Sequence, residues 1–254
     1  MTTERYRLGF DIGGTFTDFV LVDVVQDRLH LHKCLTTPAD PSVGALKGMK
    51  ALLEQLAVPL SNVGHIVHGT TLVTNAIIER RGCRLGFLTT KGFRDILEMG
   101  TEQRYDIHDL FLQFPTPLVA RQQIREIDER IAFNGTILTP LDENKLRDAA
   151  ADLIANGAEA LAISFIHAYR NPNHERLARE IIQMHHPDIA VSLSSEVDPE
   201  LKEYERGSTT TANAYVQPLM GRYIGSLNST LRKNGFAGRF HLMQSSGGLT
   251  APET

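Results

Sequence analysis

The sequence predicts an α/β fold built on a mixed β-sheet. Three strand-like segments separated by tight turns open the chain, helical and strand-like segments alternate after them, and a long helical pattern comes near the end. Tight turns join antiparallel strands, whereas parallel strands need crossover connections that are usually helices. We therefore expect a mixed sheet covered by helices on both faces, together with an inserted or second α/β subdomain.

The first part of the chain supplies this sheet. Pro41 suits the first turn of a helix, and Val43, Leu46, Met49 and Leu53 recur after it at helical spacing. Alternating apolar residues bounded by Gly and Asp turns predict the strands. The expected strands are residues 7–11, 18–25, 29–35, 64–67 and 84–89, and the expected helices are residues 41–56 and a helix from 70 or 71 to about 81.

The second part of the chain repeats the alternation of helices and strands. Residues 92–118 are less regular and carry Phe111 and Phe114 among prolines, which suits a loop or inserted segment over a pocket. Asp198 and Pro199 are typical of an N-cap and a first helical residue, which predicts a long helix from there to about residue 233. The other expected elements are helices 141–156 and 172–185 and strands 159–165 and 189–193.

The composition argues against several classes of partner and location. Lys plus Arg number 26 and Asp plus Glu number 30, a net charge of −4, with no long basic run to follow a phosphate backbone. The longest apolar stretch, residues 160–166, is far shorter than the roughly 20 residues that span a bilayer. No secretion signal pattern opens the chain, and two cysteines, Cys34 and Cys83, are too few for a disulfide framework. We therefore expect a cytoplasmic protein with no nucleic-acid or membrane partner.

The run from Asp11 to Asp18 is the most informative motif. Gly13 and Gly14 follow a buried strand directly, and glycine lets backbone N–H groups approach an anion closely. Thr15 and Thr17 can add hydroxyl donors, and the Asp11 carboxylate can hold a hydrated Mg²⁺ that bridges phosphate oxygens. A plain Gly-Gly hairpin whose threonines satisfy local backbone groups is the alternative.

A second polar run lies where a strand ends and a helix begins. His68, Gly69, Thr70 and Thr71 occupy this junction, where free N–H groups and the helix dipole favour an anion or a polarised carbonyl. Asn75, one turn further, is expected to face the same way as Thr71. The alternative is a simple N-cap with His68 as a packed polar residue.

A third candidate is the irregular segment that contains Arg104, Tyr105 and Asp106. Mixed charges in a loop can become ordered over a ligand, and a solvated loop is the alternative. We include Arg104 among the candidate substrate residues.

The chain resembles the hydantoinase/oxoprolinase family, and within it the large, hydantoinase A type subunits of ATP-dependent N-methylhydantoinases. The run at Asp11 is similar to the first phosphate motif of the superfamily that contains actin, sugar kinases and heat-shock ATPases. Separated motifs in the family's order extend the resemblance almost end to end. They are His68-Gly69-Thr70-Thr71 with Thr74-Asn75-Ala76, Thr90-Lys91-Gly92-Phe93-Arg94-Asp95, Arg104-Tyr105-Asp106, His167-Ala168-Tyr169-Arg170-Asn171-Pro172, Ser194-Ser195-Glu196-Val197 and Ser245-Ser246-Gly247-Gly248-Leu249.

The resemblance implies a ribonuclease H-like lobe and a longer protein. Residues 1–193 would form the N-terminal region with the first phosphate loop, and residues 194–254 would begin the hydantoinase A domain. Family members continue into a second Asp-Gly-Gly-Thr loop and the adenosine contacts, which this sequence lacks. We expect the chain to be the N-terminal part of such a protein.

The resemblance also implies an activity, in which ATP phosphorylates a cyclic amide oxygen and water opens the activated ring of a hydantoin, an N-methylhydantoin or a 5-oxoproline-like compound. A hydantoinase B type subunit, a homo-oligomer, or both, are the implied partners, and ATP and Mg²⁺ the cofactors. The roles fall on three groups of residues. The catalytic residues would be Asp11 and Asp18, with Asp11 holding Mg²⁺ through water. Phosphate would be bound by Gly13, Gly14, Thr15 and Thr17. The substrate would be contacted by His68, Gly69, Thr70, Thr71, Asn75 and Arg104.

Two other functions stay open on the sequence alone. One is a small-molecule kinase of the same superfamily, against which the run from His68 to Ala76 argues. The other is a non-catalytic nucleotide-binding or assembly module that acts beside a partner subunit. A protein-only metal site is not expected, because His30 and His32 have no third ligand at suitable spacing and His174 is followed four residues later by Ala178.

Overall fold

A computed structural model of the chain describes residues 5–37, 40–101, 103 and 106–252. They pack into two compact units. The first contains the described residues up to Glu79 together with those from Met220 onward, and the second runs from Arg80 to Leu219. This division by packing is not a test of the expected family boundary at residue 193, which stays a prediction.

The first unit is built on a six-stranded mixed sheet. The strands lie in the order β12-β11-β4-β1-β2-β3, with β1, β2 and β3 antiparallel and β4 and β11 parallel to β1. Its elements are β1 (Tyr6–Ile12), β2 (Phe16–Asp23), β3 (Arg28–Leu35), α1 (Pro41–Gln55), β4 (Val63–Thr70), α2 (Leu72–Ile78), β11 (Arg239–Met243), β12 (Leu249–Thr250) and the last part of α7 (Glu203–Lys233).

The core of this unit lies on one face of the sheet. Strand β1 alternates, so that Leu8 and Phe10 are buried while Arg7 and Asp11 are exposed. Helix α1 begins where the Asp40 carboxylate accepts the backbone N–H of Ser42 at 3.0 Å, and it packs its apolar side on the sheet with the last part of α7. This face is the covered face, and the one that carries Arg7 and Asp11 is the open face.

The expectation that helices cover both faces is wrong for the described part of this unit. Leu29 and Leu31 of β3 are 68% and 78% exposed on the open face, and Met243 of β11 is 49% exposed. The predicted strand 84–89 also does not join this sheet. The outer neighbour of β4 is instead β11, which the sequence analysis does not predict as a strand.

The second unit contains a four-stranded parallel sheet in the order β10-β9-β5-β6 and a two-stranded hairpin, β7-β8. Helices α4 and α5 pack their apolar residues against this sheet. Its elements are β5 (Leu85–Thr90), α3 (Ile96–Met99), β6 (Ile124–Ile127), β7 (Arg130–Ile131), β8 (Ile137–Thr139), α4 (Glu143–Ala155), β9 (Ala160–Ser164), α5 (Asn173–His185), β10 (Ala190–Leu193), α6 (Ser194–Val197) and the first part of α7.

The predicted start of the long helix at Asp198 and Pro199 is wrong. A separate short helix, α6, precedes Asp198, and α7 begins at Glu203. Lys202 has a φ of 76°, in the left-handed region that an α-helix cannot continue through. The break is therefore a property of the backbone at Lys202. Within the described residues, no helix combines the length and apolar character needed to cross a bilayer.

His68 belongs to the core of the first unit, where 1% of its surface is exposed. Its ring stacks on that of Phe10, with centroids 4.3 Å apart, and its Nε2 lies 2.8 Å from the Tyr223 hydroxyl. Burial lowers the pKa of His68 to about 4, because the charged ring would lose its hydration. At neutral pH the ring is therefore uncharged.

Replacing Gly238 by alanine is expected to destabilise the first unit. An alanine Cβ would lie 2.3 Å from the carbonyl oxygen of Gly64, so β4 and β11 would have to move apart. We expect the free energy of unfolding to fall by about 1–3 kcal/mol in urea titrations. Gly225→Ala is the control, because its Cβ meets no atom within 4 Å and alanine favours a helix. Equal stability of Gly238→Ala and the parent would contradict the close approach of these strands.

The buried His68 is expected to make stability depend on pH. Above about pH 6.5 the His68 ring is neutral in both the folded and the unfolded state. Below that pH the unfolded chain binds a proton at His68, whereas the folded protein binds it only near pH 4. The free energy of unfolding should therefore fall on acidification across this window, by on the order of 3 kcal/mol in total. Urea unfolding at pH 7.5 and 5.0 should show this dependence reduced in His68→Gln and kept in His30→Gln. The same dependence in His68→Gln as in the parent would count against the burial effect.

Candidate functional site

Asp11 and Asp18 lie side by side on the open face of the first unit. Strands β1 and β2 pair in a register that sets Asp11 opposite Asp18, and β1 and β4 pair so that Asp11 lies beside Gly69. On the other side, β2 and β3 pair Asp18 with Lys33. Gly69, Asp11, Asp18 and Lys33 thus form one row across four strands, next to the turn that joins β1 to β2. We call these four residues the cross-strand row.

Gly69 leaves space for the Asp11 side chain. A Cβ at position 69 would lie 3.2 Å from Asp11 Oδ1, closer than nearly all real contacts of this kind. The Asp11 carboxylate therefore lies over the backbone of β4 and is exposed to the open face. The candidate substrate residue Gly69 is placed to accommodate this carboxylate.

Asp18 has a different neighbour. Its Oδ1 lies 2.9 Å from Lys33 Nζ and its Oδ2 3.3 Å from the same atom. The ammonium also lies over the ring of Phe16, 4.8 Å from its centroid. The two carboxylates of the row thus have unlike surroundings, since Asp18 faces a positive charge and Asp11 faces a glycine.

The turn between β1 and β2 carries the two glycines of the motif. The Gly13 N–H donates to the Phe16 carbonyl at 3.0 Å, and the Thr36 hydroxyl donates to the Gly13 carbonyl at 2.9 Å. A Cβ on Gly14 would meet no atom within 4 Å, so one side of the turn is open. Neither glycine has a φ in the left-handed region. Open space, and not backbone strain, is therefore what distinguishes Gly14.

The two threonines of the motif have different environments. Thr15 is exposed at the turn, and its carbonyl accepts the Thr36 N–H at 2.9 Å. Thr17 is fully buried, and its hydroxyl lies 3.0 Å from the Thr36 hydroxyl. The Thr17 side chain therefore points to the covered face, away from Asp11 and Asp18, and this geometry favours the alternative of a local structural role.

The remaining candidate substrate residues lie in different environments. His68 points into the core, which favours the alternative of a packed polar residue. The Thr70 hydroxyl accepts the Leu72 N–H at 3.1 Å and so caps α2, while the Asn75 amide donates to the Thr71 hydroxyl at 3.4 Å. Arg104 lies outside the described residues. Of this set, the structure brings Gly69 alone into the cross-strand row among the described residues.

An open groove of about 810 Å³ runs along the open face beside the row. Its charged end is formed by Asp11, Asp18 and Lys33. Its apolar floor is formed by Val20, Leu31, Val67 and Met243. Lys33 is not among the site residues predicted from the sequence. It follows Leu29 and Leu31 at alternate positions of β3, however, and this spacing predicts that all three share one face of the strand.

The donor set at the row suits Mg²⁺ better than a metal held by protein alone. The described residues contain no group of three or more His, Cys, Asp and Glu side chains able to hold a metal ion. Magnesium keeps several waters and is usually bound by one or two carboxylates together with phosphate oxygens. Two carboxylates beside an open glycine turn fit that requirement.

A second set of polar residues lies at the carboxyl ends of the strands in the second unit. Glu175 is fully buried and accepts the Ser194 hydroxyl at 2.6 Å and the N–H groups of Phe165 and Ser195 at 2.9 and 2.8 Å. Arg206 Nε donates to the Ser194 hydroxyl at 3.1 Å. Burial raises the pKa of Glu175 and lowers that of Arg206. This network joins the segment after β9 to α5, α6 and α7.

A neighbouring buried pair, His174 and Glu129, lies at the same edge of the sheet in the second unit. His174 Nδ1 lies 2.7 Å from Glu129 Oε2, and the Thr90 hydroxyl donates to Glu129 Oε1 and accepts the Ile166 N–H at 2.8 Å. Thr90 of the motif at 90–95 and Ser194 of the motif at 194–197 take part in these buried networks, and the motif at 167–172 follows Ile166 directly. Their visible role in the described residues is to fix the ends of these strands.

Comparison with known proteins places the chain in a family. The model of the hydantoinase/oxoprolinase N-terminal region matches residues 7–186, and the hydantoinase/oxoprolinase model matches residues 206–254. The caprolactamase alpha subunit of Pseudomonas jessenii is 36% identical over 255 residues, which cover 98% of this chain and 36% of that protein. The 5-oxoprolinase of Saccharomyces cerevisiae is 34% identical over 292 residues, which cover 98% of this chain and 22% of that protein.

Solved structures agree with the sequence matches. The crystal structure of the ATP-dependent caprolactamase from Pseudomonas jessenii superposes with a TM-score of 0.89 at 36% identity, over 97% of this chain and 36% of that one. The nucleotide-free structure of acetone carboxylase, an enzyme of ATP-dependent acetone carboxylation, gives a TM-score of 0.89 at 28% identity, over 98% and 38%. These superpositions confirm the predicted fold class.

This chain spans between about a fifth and two fifths of the length of these relatives. The match of the N-terminal region model to residues 7–186 covers well over half of the chain and confirms the resemblance that the motifs indicated. The chain therefore belongs to the hydantoinase/oxoprolinase family.

Proposed function

We propose that the chain contributes the first phosphate-binding side of an ATP-dependent enzyme that opens a cyclic amide. Hydantoin, N-methylhydantoin and 5-oxoproline-like rings are the proposed substrates. The observation that carries the proposal is the cross-strand row, which sets two carboxylates on one face beside the open Gly13-Gly14 turn. The relatives named caprolactamase and 5-oxoprolinase support the choice of a cyclic amide.

The chemistry explains why ATP is required. A cyclic amide is a poor electrophile, because resonance stabilises its carbonyl and an amine is a bad leaving group. Transfer of the γ-phosphoryl group to the amide oxygen releases ADP and turns that oxygen into part of a leaving group. Water then adds to the same carbon, and the C–N bond of the ring breaks to leave an amine and an acyl phosphate. A second water hydrolyses the acyl phosphate to the free acid and inorganic phosphate. The products are the ring-opened acid, ADP and phosphate.

In this proposal the turn and the row have separate tasks. The N–H groups near Gly13 and Gly14 and the Thr15 hydroxyl bind phosphate oxygens, and Thr17 supports the turn from the covered face through Thr36. Asp11 would hold Mg²⁺ through water, and Asp18 would orient the reacting oxygens. When bound, Mg²⁺ would offset the negative charge of the phosphates.

The segment after β4 is the proposed substrate side. Thr70 and Thr71 lie directly after Gly69 and are tied to α2 by their hydroxyls, with Asn75 one turn further. Fixed hydroxyl and amide groups of this kind orient a small polar ring. His68 supports the same strand end from the core through Tyr223, and Arg104 is retained as a candidate contact.

We also propose that the enzyme works with a second subunit of the hydantoinase B type, as a homo-oligomer, or both, in the cytoplasm. The caprolactamase relative is named as a subunit, which supports an assembly. The exposed Leu29 and Leu31 on the open face also favour a second candidate function, a nucleotide-binding assembly module without its own catalysis. Measured ring opening separates the two.

Asp11→Asn in the full-length product of the gene is expected to lower ATP-coupled ring opening by about 10²–10³-fold, because it removes a metal-organising charge without changing shape. The assay follows ADP and ring-opened product with hydantoin, N-methylhydantoin and 5-oxoproline. Asp27→Asn is the matched control, since Asp27 lies in the exposed turn between β2 and β3. Near-parental rates for Asp11→Asn would exclude the proposed role.

Gly14→Val is expected to weaken binding of a non-hydrolysable ATP analogue with Mg²⁺ by about tenfold, or roughly 1.4 kcal/mol. The side chain would occupy the open space where phosphate is proposed to bind. Gly14→Ala should have a smaller effect, and the thermal stability of both variants should stay close to that of the parent. Isothermal titration of all three proteins provides the comparison, and equal dissociation constants would count against a phosphate site at this turn.

A further inference from the structure

Lys33 is the positive member of the cross-strand row. The hairpin register places it directly opposite Asp18, on the same face as Asp11 and the groove. Its ammonium lies between the Asp18 carboxylate at 2.9 Å and the ring of Phe16 at 4.8 Å. Phe16 is the first residue of β2 after the glycine turn. The ammonium is thus held at the end of the sheet where the proposed phosphate site lies.

A purely structural role explains this arrangement poorly. The side chains of Lys33 and Asp18 are 55% and 59% exposed, and ion pairs in such positions contribute little to stability. The pair instead places a negative charge next to Asp11 and a positive charge one strand further, in a row that borders the groove. Two carboxylates alone would repel an anionic phosphate group, so a positive side chain next to them favours phosphate binding in addition to a metal ion.

Other cations of this face lie at the opposite end of the strands. Arg7 belongs to the exposed side of β1 and comes four residues before Asp11. At about 3.3 Å per residue, its Cα is roughly 13 Å from that of Asp11. Arg239 pairs with His65, which pairs with Arg7, so it lies in the same distant row. Among the described residues on the open face of this six-stranded sheet, Lys33 is the cation at the phosphate end.

We infer that Lys33 is a phosphate-contact residue, whose ammonium binds a phosphate oxygen of the nucleotide while Asp18 and Phe16 hold it in place. This inference rests on the proposed function, because it deepens the same site. Lysine acts on phosphate as a compact point charge with three donors. The contact adds no covalent step, and it supplies a charge that the glycine turn lacks.

The test measures the affinity of adenosine 5′-(β,γ-imido)triphosphate with Mg²⁺ by isothermal titration of the full-length gene product. Lys33→Met should raise the dissociation constant about tenfold, and Lys33→Arg should keep it within about threefold. Lys50→Met is the matched control, because Lys50 is an exposed lysine on α1, which packs on the covered face. The melting temperature of Lys33→Met should match that of the parent.

A second pair of variants distinguishes a direct contact of Lys33 with phosphate from a role limited to its ion pair with Asp18. In an Asp18→Asn background, adding Lys33→Met should still weaken the analogue about tenfold. If this addition changes nothing, Lys33 only neutralises Asp18 and the inference is overturned. Unchanged affinity in the single variant Lys33→Met overturns it as well, while leaving the proposed nucleotide site intact. Absence of analogue binding by the parent protein would overturn the proposed site and this inference together.

Discussion

The pairing of β1 with its two neighbours is the constraint on which the candidate site depends. Backbone hydrogen bonds to β2 and β4 fix a register in which Asp11 lies between Asp18 and Gly69. A shift of one residue would move Asp11 into the core and bring Phe10 or Ile12 to the open face. The buried alternate residues of β1 oppose such a shift, because each would have to exchange an apolar environment for water. The core therefore determines where the carboxylates stand.

Much of this arrangement could be predicted from the sequence. The α/β class, the first three strands and α1 are predicted correctly from alternation, turn residues, and Pro41 followed by apolar residues at helical spacing. The sequence also predicts the sheet face of each side chain. Asp11 lies between Phe10 and Ile12 and therefore points to the face opposite theirs, whereas Thr17 lies two residues from Phe19 and shares its face. The same alternation places Thr17 and His68 on the covered face, whereas the chemistry of their motifs predicts both at a ligand. The structure packs both side chains in the core.

The rest depended on contacts between distant segments. Strand β11 lies next to β4, with Gly238 close to the Gly64 carbonyl, and nothing in the local pattern of residues 239–243 specifies that neighbour. The left-handed φ of Lys202, which delays the long helix, is likewise set by surrounding structure, since lysine has no intrinsic preference for it. Side-chain pairs such as Lys33 with Asp18 require the register as well as the face, and the register emerges only when the hairpin is built.

The different surroundings of Asp11 and Asp18 make the two ends of the cross-strand row chemically different. Identical carboxylates side by side would compete for the same cation and would repel phosphate equally. Here Gly69 leaves Asp11 uncrowded and open to a hydrated metal ion, while Lys33 offsets the charge of Asp18. In the proposed function, the row thus changes along its length from the side proposed to hold the metal to a positively charged side, with the glycine turn at its edge. A nucleotide phosphate carrying Mg²⁺ has the same two-sided charge pattern, and this complementarity is the physical argument for placing it at the carboxyl end of β1.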